Sequence, residues 1–142
     1  MTSWVMQCSE LYLEGVYEKL KEELLMESVL HSDDTTVQVL KEPGRKATQK
    51  SYEWLYRTSG CSKHKIVIYD YQPTRAHEHP KNFLEGFEGY LHTDGYEAYH
   101  KLEGVTVVGC WSHVRRYWEK ALKALPKDKQ KDSAAETAVA YI

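Results

Sequence analysis

The sequence contains no uninterrupted apolar run of the roughly 20 residues that a membrane-spanning helix needs. Its first residues, Met1 to Trp4, also lack the basic stretch and the cleavage site of a secretory signal peptide. The three cysteines, Cys8, Cys61 and Cys110, are an odd number at wide spacing, which fits a reducing compartment better than a disulfide framework. We therefore expect a cytoplasmic protein that has no contact with a membrane.

An excess of positive charge is also absent, because the formal net charge is −2. A domain that binds nucleic acid by itself usually has a basic surface. Here basic residues cluster only locally, at Arg45-Lys46, Lys63–Lys65 and Arg115-Arg116. If this chain handles nucleic acid, most of the binding energy comes from a segment outside it. The glycine-rich phosphate loop, the nucleophile elbow and the His-Glu-x-x-His zinc motif are absent as well.

With 142 residues, 42% of them hydrophobic, the chain is long enough for one domain with its own core. Residues 3–26 form a predicted helix, since apolar side chains recur at four-residue steps from Trp4 to Leu24. Three strands with short connections follow, which is typical of an antiparallel meander, and helices then alternate with strands. The predicted strands span residues 28–40, 52–57, 65–71, 90–93 and 105–108, and the later helices 79–87, 96–102, 111–125 and 133–142.

This order of elements predicts an α/β fold with a mixed five-stranded sheet flanked by helices. We divide the chain into residues 1–27, an N-terminal helix leading into the core, and residues 28–125, the core itself. Residues 126–142 are a charged loop and the beginning of another helix. Because that helix reaches Tyr141-Ile142 without a stop signal, we expect the chain to be a fragment.

Two aspartates, Asp33 and Asp34, interrupt the first predicted strand. Side chains alternate between the two faces of a strand, so these two carboxylates point in opposite directions. The row that contains Asp33 continues with Val37 and Val39, so we predict that Asp33 is buried and Asp34 is solvated or supports the site. The alternative is that both residues open a turn after a short strand. A buried carboxylate is costly unless something compensates its charge, and a divalent cation is one such compensation.

The third aspartate of interest is Asp94, which ends the fourth predicted strand. If the first and fourth strands are parallel neighbours, Asp33 and Asp94 can project toward one pair of metal ions. Two-metal sites hold their ions roughly 3.5–4 Å apart and act on both oxygens of a phosphoryl displacement. Magnesium suits this chemistry because it takes carboxylate oxygens and keeps several waters. The alternative for Asp94 is an ordinary Asp-Gly turn.

Further candidates follow the fifth strand. His113 lies at its carboxyl end, where open α/β sheets place ligands, so it could assist at an active site or contact a phosphate. Arg115 and Arg116 could pair with phosphates or form a solvated helix face. Two Cys-x-x-His pairs, which begin at Cys61 and Cys110, leave open a third interpretation, a structural zinc site.

Several blocks of the sequence, taken in order, resemble the insertion-sequence-66 transposase family. The blocks cover most of residues 4–125, and together they are specific although each alone is weak. They are His31-Ser32-Asp33-Asp34-Thr35-Thr36-Val37-Gln38-Val39-Leu40, Tyr52-x-Trp54, Tyr69-Asp70-Tyr71-x-Pro73-x-Arg75, Phe83-Leu84-x-Gly86-Phe87-x-Gly89, Asp94-Gly95-Tyr96-x-x-Tyr99 and Gly109-Cys110-Trp111-Ser112-His113-x-Arg115-Arg116.

The resemblance implies a ribonuclease H-like fold and DDE-type chemistry, in which two aspartates and a glutamate hold two Mg²⁺ (or Mn²⁺) ions. Water and then a DNA 3′-hydroxyl attack phosphodiesters at the transposon ends. By position, Asp33 and Asp94 are the two aspartates that act as metal ligands and catalytic residues, and Asp34 stands where the family has glutamate. The resemblance also implies a bacterial cytoplasm, association with the nucleoid when the protein is on DNA, and a homo-oligomer.

In the family, the third carboxylate lies near an Asn-Asn-x-x-Glu motif well beyond the Cys-Trp-x-His block. The sequence contains no such motif, and Glu119 and Glu136 stand in other contexts. We therefore expect a catalytic fragment that does not cleave or join DNA alone. The alternative is a non-catalytic binding or oligomerisation module that keeps the fold.

Overall fold

The structure, a computed structural model, describes residues 2–142. Its N-terminal part is helical as predicted, with α1 (Thr2–Cys8) joined by a π-helical turn (Ser9–Leu13) to α2 (Glu14–Leu25). The apolar stripe of this helix is not covered, because Trp4 is 75% exposed and Tyr12 70% exposed. Leu24 alone of α2's side chains is buried. Helix α2 is therefore anchored to the sheet through its last turn.

Strands from both halves of the described chain form one mixed sheet of five. Its spatial order is β3 (Val67–Gln72), β2 (Lys50–Thr58), β1 (Val29–Gln38), β4 (Gly89–Thr93) and β5 (Val105–Gly109). β1 and β3 are antiparallel to β2, whereas β4 is parallel to both β1 and β5. The predicted mixed α/β sheet is confirmed, including the parallel neighbours β1 and β4 on which the aspartate argument depends.

The remaining helices lie mostly where the sequence predicts them. They are α3 (Glu78–Phe83), a 3₁₀ turn (Glu97–Lys101), α4 (Trp111–Ala124), α5 (Lys127–Gln130) and α6 (Ala134–Tyr141). The short α5 was expected to be a loop, but Pro126 accepts a hydrogen bond from the Lys129 amide at 2.8 Å and starts a turn of helix. The Ser133 hydroxyl caps α6 as predicted, by accepting the Glu136 amide at 3.1 Å. Within residues 2–142, no helix combines the length and hydrophobicity that crossing a membrane requires.

The core lies against one face of the sheet only. The Tyr56 and Phe83 rings stack there with centroids 3.7 Å apart. Gly89 is required where β4 begins, because a Cβ at this position would lie 2.6 Å from the Ser28 carbonyl oxygen. The buried side chains of this cluster include Leu24, Leu30, Trp54, Tyr56, Ile68, Phe83, Phe87, Leu91 and Tyr99.

The structure corrects the predicted orientation of the two adjacent aspartates. Leu30 and Ser32 are buried, and Asp34, on the same face of β1, has a side chain only 4% exposed. Asp33 is exposed, so the prediction that it is the buried carboxylate is wrong. Of the valines that guided the prediction, Val37 lies in the part of β1 that pairs with β2 but not with β4, and Val39 lies just after the strand. After Asp34 no residue of β1 is buried, so the valines there do not mark the core face.

Candidate metal centre

Three potential metal ligands meet where the parallel pairing of β1 with β4 and of β4 with β5 ends. Asp33 lies on β1, Asp94 follows β4, and His113 lies in the first turn of α4, directly after β5. One ligand atom from each of these side chains lies within 4.8 Å of the others. The structure therefore places Asp33 next to Asp94, as the parallel strands predicted, and adds a ring nitrogen of His113.

Both carboxylate oxygens of Asp94 contact a neighbouring residue. Oδ1 accepts the Tyr96 amide at 2.9 Å, which makes the turn that was the alternative interpretation of this residue. Oδ2 lies 3.5 Å from Nη2 of Arg75. Asp94 thus closes the turn after β4 and faces Asp33 at the same time. Gly95 follows with φ +88°, a conformation that favours glycine.

The buried Asp34 is paired with Arg75, which the sequence did not identify as a site residue. Arg75 donates to Asp34 Oδ1 from Nε at 3.1 Å and from Nη2 at 2.8 Å. Burial raises the pKa of Asp34, although the hydrogen bonds and charge of Arg75 oppose that shift. The guanidinium also lies 3.8 Å from the Tyr96 ring centroid. Arg75 therefore connects the carboxylate of the packed face to Asp94 in the candidate centre.

His113 is the nitrogen-bearing member of the cluster. Its Nδ1 is buried and has no hydrogen-bond partner within the described part of the chain. Its Nε2 lies 2.8 Å from Arg116 Nη2, which can only donate, so Nε2 accepts and, in a neutral ring, Nδ1 carries the proton. A metal ion could therefore bind only at Nε2, in place of the Arg116 hydrogen bond. An imidazole nitrogen and two carboxylates are an ordinary donor set for a divalent cation. The two carboxylates therefore fit a metal ion, and His113 would be its nitrogen ligand once Arg116 releases its hydrogen bond to Nε2.

The two predicted arginines differ in their surroundings. Arg116 contacts His113 at the edge of the centre, whereas Arg115 pairs with Glu119 at 3.1 Å and donates to the Val139 carbonyl at 2.7 Å. Arg115 therefore joins α4 to α6 and does not reach the centre.

The zinc interpretation is not supported by the arrangement of its ligands. Among residues 2–142, the cluster of three or more potential ligands contains no cysteine, and Cys61 is exposed. The two Cys-x-x-His pairs are therefore not gathered into a tetrahedral site.

A cavity of about 170 Å³ adjoins the three candidate ligands and is also lined by His31, His92 and Arg57. The Nδ1 atoms of His31 and His92 lie 3.1 Å apart. Sequence reasoning missed these residues. A signal was present, because each histidine precedes a site aspartate by two positions, and side chains two positions apart point to the same face of a strand.

Taken together, the fold and the cluster define a mixed α/β domain with a candidate divalent-metal centre at the ends of parallel strands. The chain belongs to the IS66 family of transposases, because residues 1–142 match the family described as "Transposase IS66 family". It is also similar to the "Uncharacterized protein y4qI" of Sinorhizobium fredii (strain NBRC 101917 / NGR234), with 33% identity over 99 residues. That match covers 60% of this chain and 18% of the relative, so the chain spans less than a fifth of it. No solved structure gives a significant match.

Proposed function

We propose that this chain is part of the ribonuclease H-like catalytic domain of a DDE transposase, which cleaves DNA strands and transfers them at transposon ends. The convergence of Asp33, Asp94 and His113 at the ends of parallel strands carries this proposal. It agrees with the membership of the transposase family. The place of action would be the cytoplasm of a bacterial cell, on nucleoid DNA, and the complete protein would act as a homo-oligomer.

In this proposal Asp33 and Asp94 hold divalent cations, Mg²⁺ or Mn²⁺, with two ions in the complete enzyme. Such ions activate a water or a 3′-hydroxyl and stabilise the leaving oxygen of an in-line displacement. Arg75 fixes the orientation of the Asp94 carboxylate and balances the charge of Asp34. Arg116 is exposed beside His113, where it would contact a DNA phosphate.

The described cluster contains two carboxylates, and the DDE mechanism uses three. We infer that these 142 residues bind a divalent cation but do not cleave or join DNA by themselves. The third carboxylate would come from a segment outside this sequence. Robust strand transfer by the isolated chain in Mg²⁺ or Mn²⁺, lost in Asp94→Ala, would contradict this inference.

A titration with Mn²⁺ tests the metal centre, with the free ion measured by electron paramagnetic resonance. We expect Asp33→Ala and Asp94→Ala to weaken Mn²⁺ binding at least about tenfold, since each removes one anionic ligand. Asp128→Ala, in α5, is the matched control and should bind Mn²⁺ like the wild type. Equal Mn²⁺ affinity in all four proteins would overturn the proposal and favour the non-catalytic module.

A further inference from the structure

The strand register places three nitrogen-bearing side chains in a row across the sheet. His31 on β1 pairs with Arg57 on β2 and with His92 on β4. Directly paired residues of neighbouring strands point to the same face. The row therefore lies on the face that also carries Asp33, and all three side chains line the cavity of the candidate metal centre.

The two histidines supply a free hydrogen-bond donor. A neutral imidazole has one N–H and one acceptor nitrogen. Because the two Nδ1 atoms are 3.1 Å apart, one of them donates and the other accepts. The histidine that accepts at Nδ1 must carry its proton on Nε2. The pair therefore always offers one Nε2–H, and none of the hydrogen bonds of the described residues uses it.

Arg57 supplies a positive charge that the protein leaves unpaired. It is half-buried, and no carboxylate of the described residues lies within 4.0 Å of its nitrogens. Arg57 stands directly opposite His31 in the β1–β2 register, so its positive charge acts on the row at short range. A cation beside two carboxylates repels a metal ion, and an anion between the guanidinium and the metal offsets that repulsion.

We propose that Arg57, His31 and His92 form a subsite for a non-bridging oxygen of a DNA phosphodiester whose phosphorus lies at the Asp33–Asp94 centre. A guanidinium recognises phosphate oxygens through charge-assisted hydrogen bonds, and the free imidazole N–H adds a neutral donor. The assignment of the anion to DNA rests on the proposed function. It gives Arg57 a role in holding the phosphate, separate from the role of the carboxylates in holding metal.

The experiment measures binding of a short fluorescent single-stranded oligodeoxynucleotide to the 142-residue chain by anisotropy, once in EDTA and once in Ca²⁺. We expect Arg57→Gln to weaken binding about tenfold in both buffers, because a charge-assisted contact is lost. Arg57→Lys should recover part of that loss, since it keeps the charge without the planar fork. Lys63→Gln removes the same charge from the exposed turn after β2 and should change binding less than about twofold.

Further measurements separate this proposal from the proposed function and from a free-phosphate site. Arg57→Gln should bind Mn²⁺ at least as tightly as the wild type and should keep its thermal midpoint. If the wild type does not bind Mn²⁺, the proposed function fails, whereas the dependence on Arg57 in EDTA still stands. Oligonucleotide binding by Arg57→Gln within twofold of the wild type overturns the subsite. Shifts of the His31 and His92 imidazole signals with inorganic phosphate, without any Arg57 effect on the oligonucleotide, assign the row to free phosphate and overturn the DNA proposal.

Discussion

The two faces of the sheet differ in what their side chains contact. On the packed face, Leu30, Trp54 and Leu91 are completely buried. On the open face, Tyr69 and Tyr90 are more than half exposed, and Asp33 is exposed beside the cavity. The candidate chemistry lies on the open face, where an ion or a nucleic acid can reach it, and the packed face provides rigid support. Asp34 belongs to the packed face but acts on the open side through Arg75.

The largest difference in stability between the two faces should appear when adjacent residues of β2 are truncated to alanine. We expect Trp54→Ala to lower the free energy of unfolding by about 3–5 kcal/mol, because a large buried side chain is lost. Leu55→Ala, at the half-buried position that lines the cavity, should cost about 1 kcal/mol or less. Urea unfolding followed by far-ultraviolet circular dichroism measures both. Similar losses would mean that the open face is packed as tightly as the other.

A smaller difference in stability is expected when two arginines are replaced, Arg75 beside the packed face and Arg57 on the open face. Arg75→Gln leaves the Asp34 carboxylate buried without its partner, and we expect a loss of about 2 kcal/mol. This is below the cost in a fully buried pair, because the Arg75 side chain is 35% exposed. Arg57→Gln should change the free energy of unfolding by less than about 0.5 kcal/mol, since no carboxylate pairs with it among residues 2–142.

A double-mutant cycle measured by urea unfolding checks this interpretation of Arg75. Adding Asp34→Asn to Arg75→Gln should recover most of the lost stability, because the uncompensated charge is removed. If the changes in unfolding free energy of the two single variants simply add in the double variant, Arg75 stabilises the fold through packing on Tyr96 and not through its pairing with Asp34.

The smallest effect is a pH dependence of Asp34. Its pKa is raised in the folded protein above the usual 3.8, mainly by burial. Between the unfolded pKa and the raised folded pKa, the folded state binds more protons than the unfolded state. The free energy of unfolding therefore falls as the pH rises through this range. Asp34→Asn should lack this fall and should therefore gain stability relative to the wild type between acidic and neutral pH. Asp33→Asn, on the exposed face, is the control and should stay within about 0.5 kcal/mol of the wild type at pH 7.

The sequence predicted most elements because their local signals agree with the packing. The apolar run Val105–Val108 lies within β5, and the predicted helix 79–87 is observed as Glu78–Phe83. That helix ends early because the chain turns at Gly86, whose φ of +80° does not continue a helix. The charged segment after Pro126 gave no helical pattern, so α5 was not predicted.

The candidate site was only partly predictable for a different reason. Asp33 lies within a recognisable strand and Asp94 directly follows another, so their approach required only that β1 and β4 be parallel neighbours. Arg75 reaches Asp34 across 41 positions of sequence, and Arg57 joins the row only through the β1–β2 register. No local pattern carries such pairings. The face of Asp34 was misjudged because most of β1, from Ser32 to Gln38, extends beyond its pairing with β4.

The distribution of tryptophan gives the chain a built-in optical probe. Of its four tryptophans, Trp4 and Trp111 already face water in the folded state and Trp118 is 37% exposed, whereas Trp54 is fully enclosed beside Tyr99. On unfolding, the emission of the first two should hardly move, and that of Trp54 should shift to longer wavelength. Intrinsic fluorescence of this protein therefore reports on the interior side of its central sheet through Trp54, with a smaller contribution from Trp118 on α4.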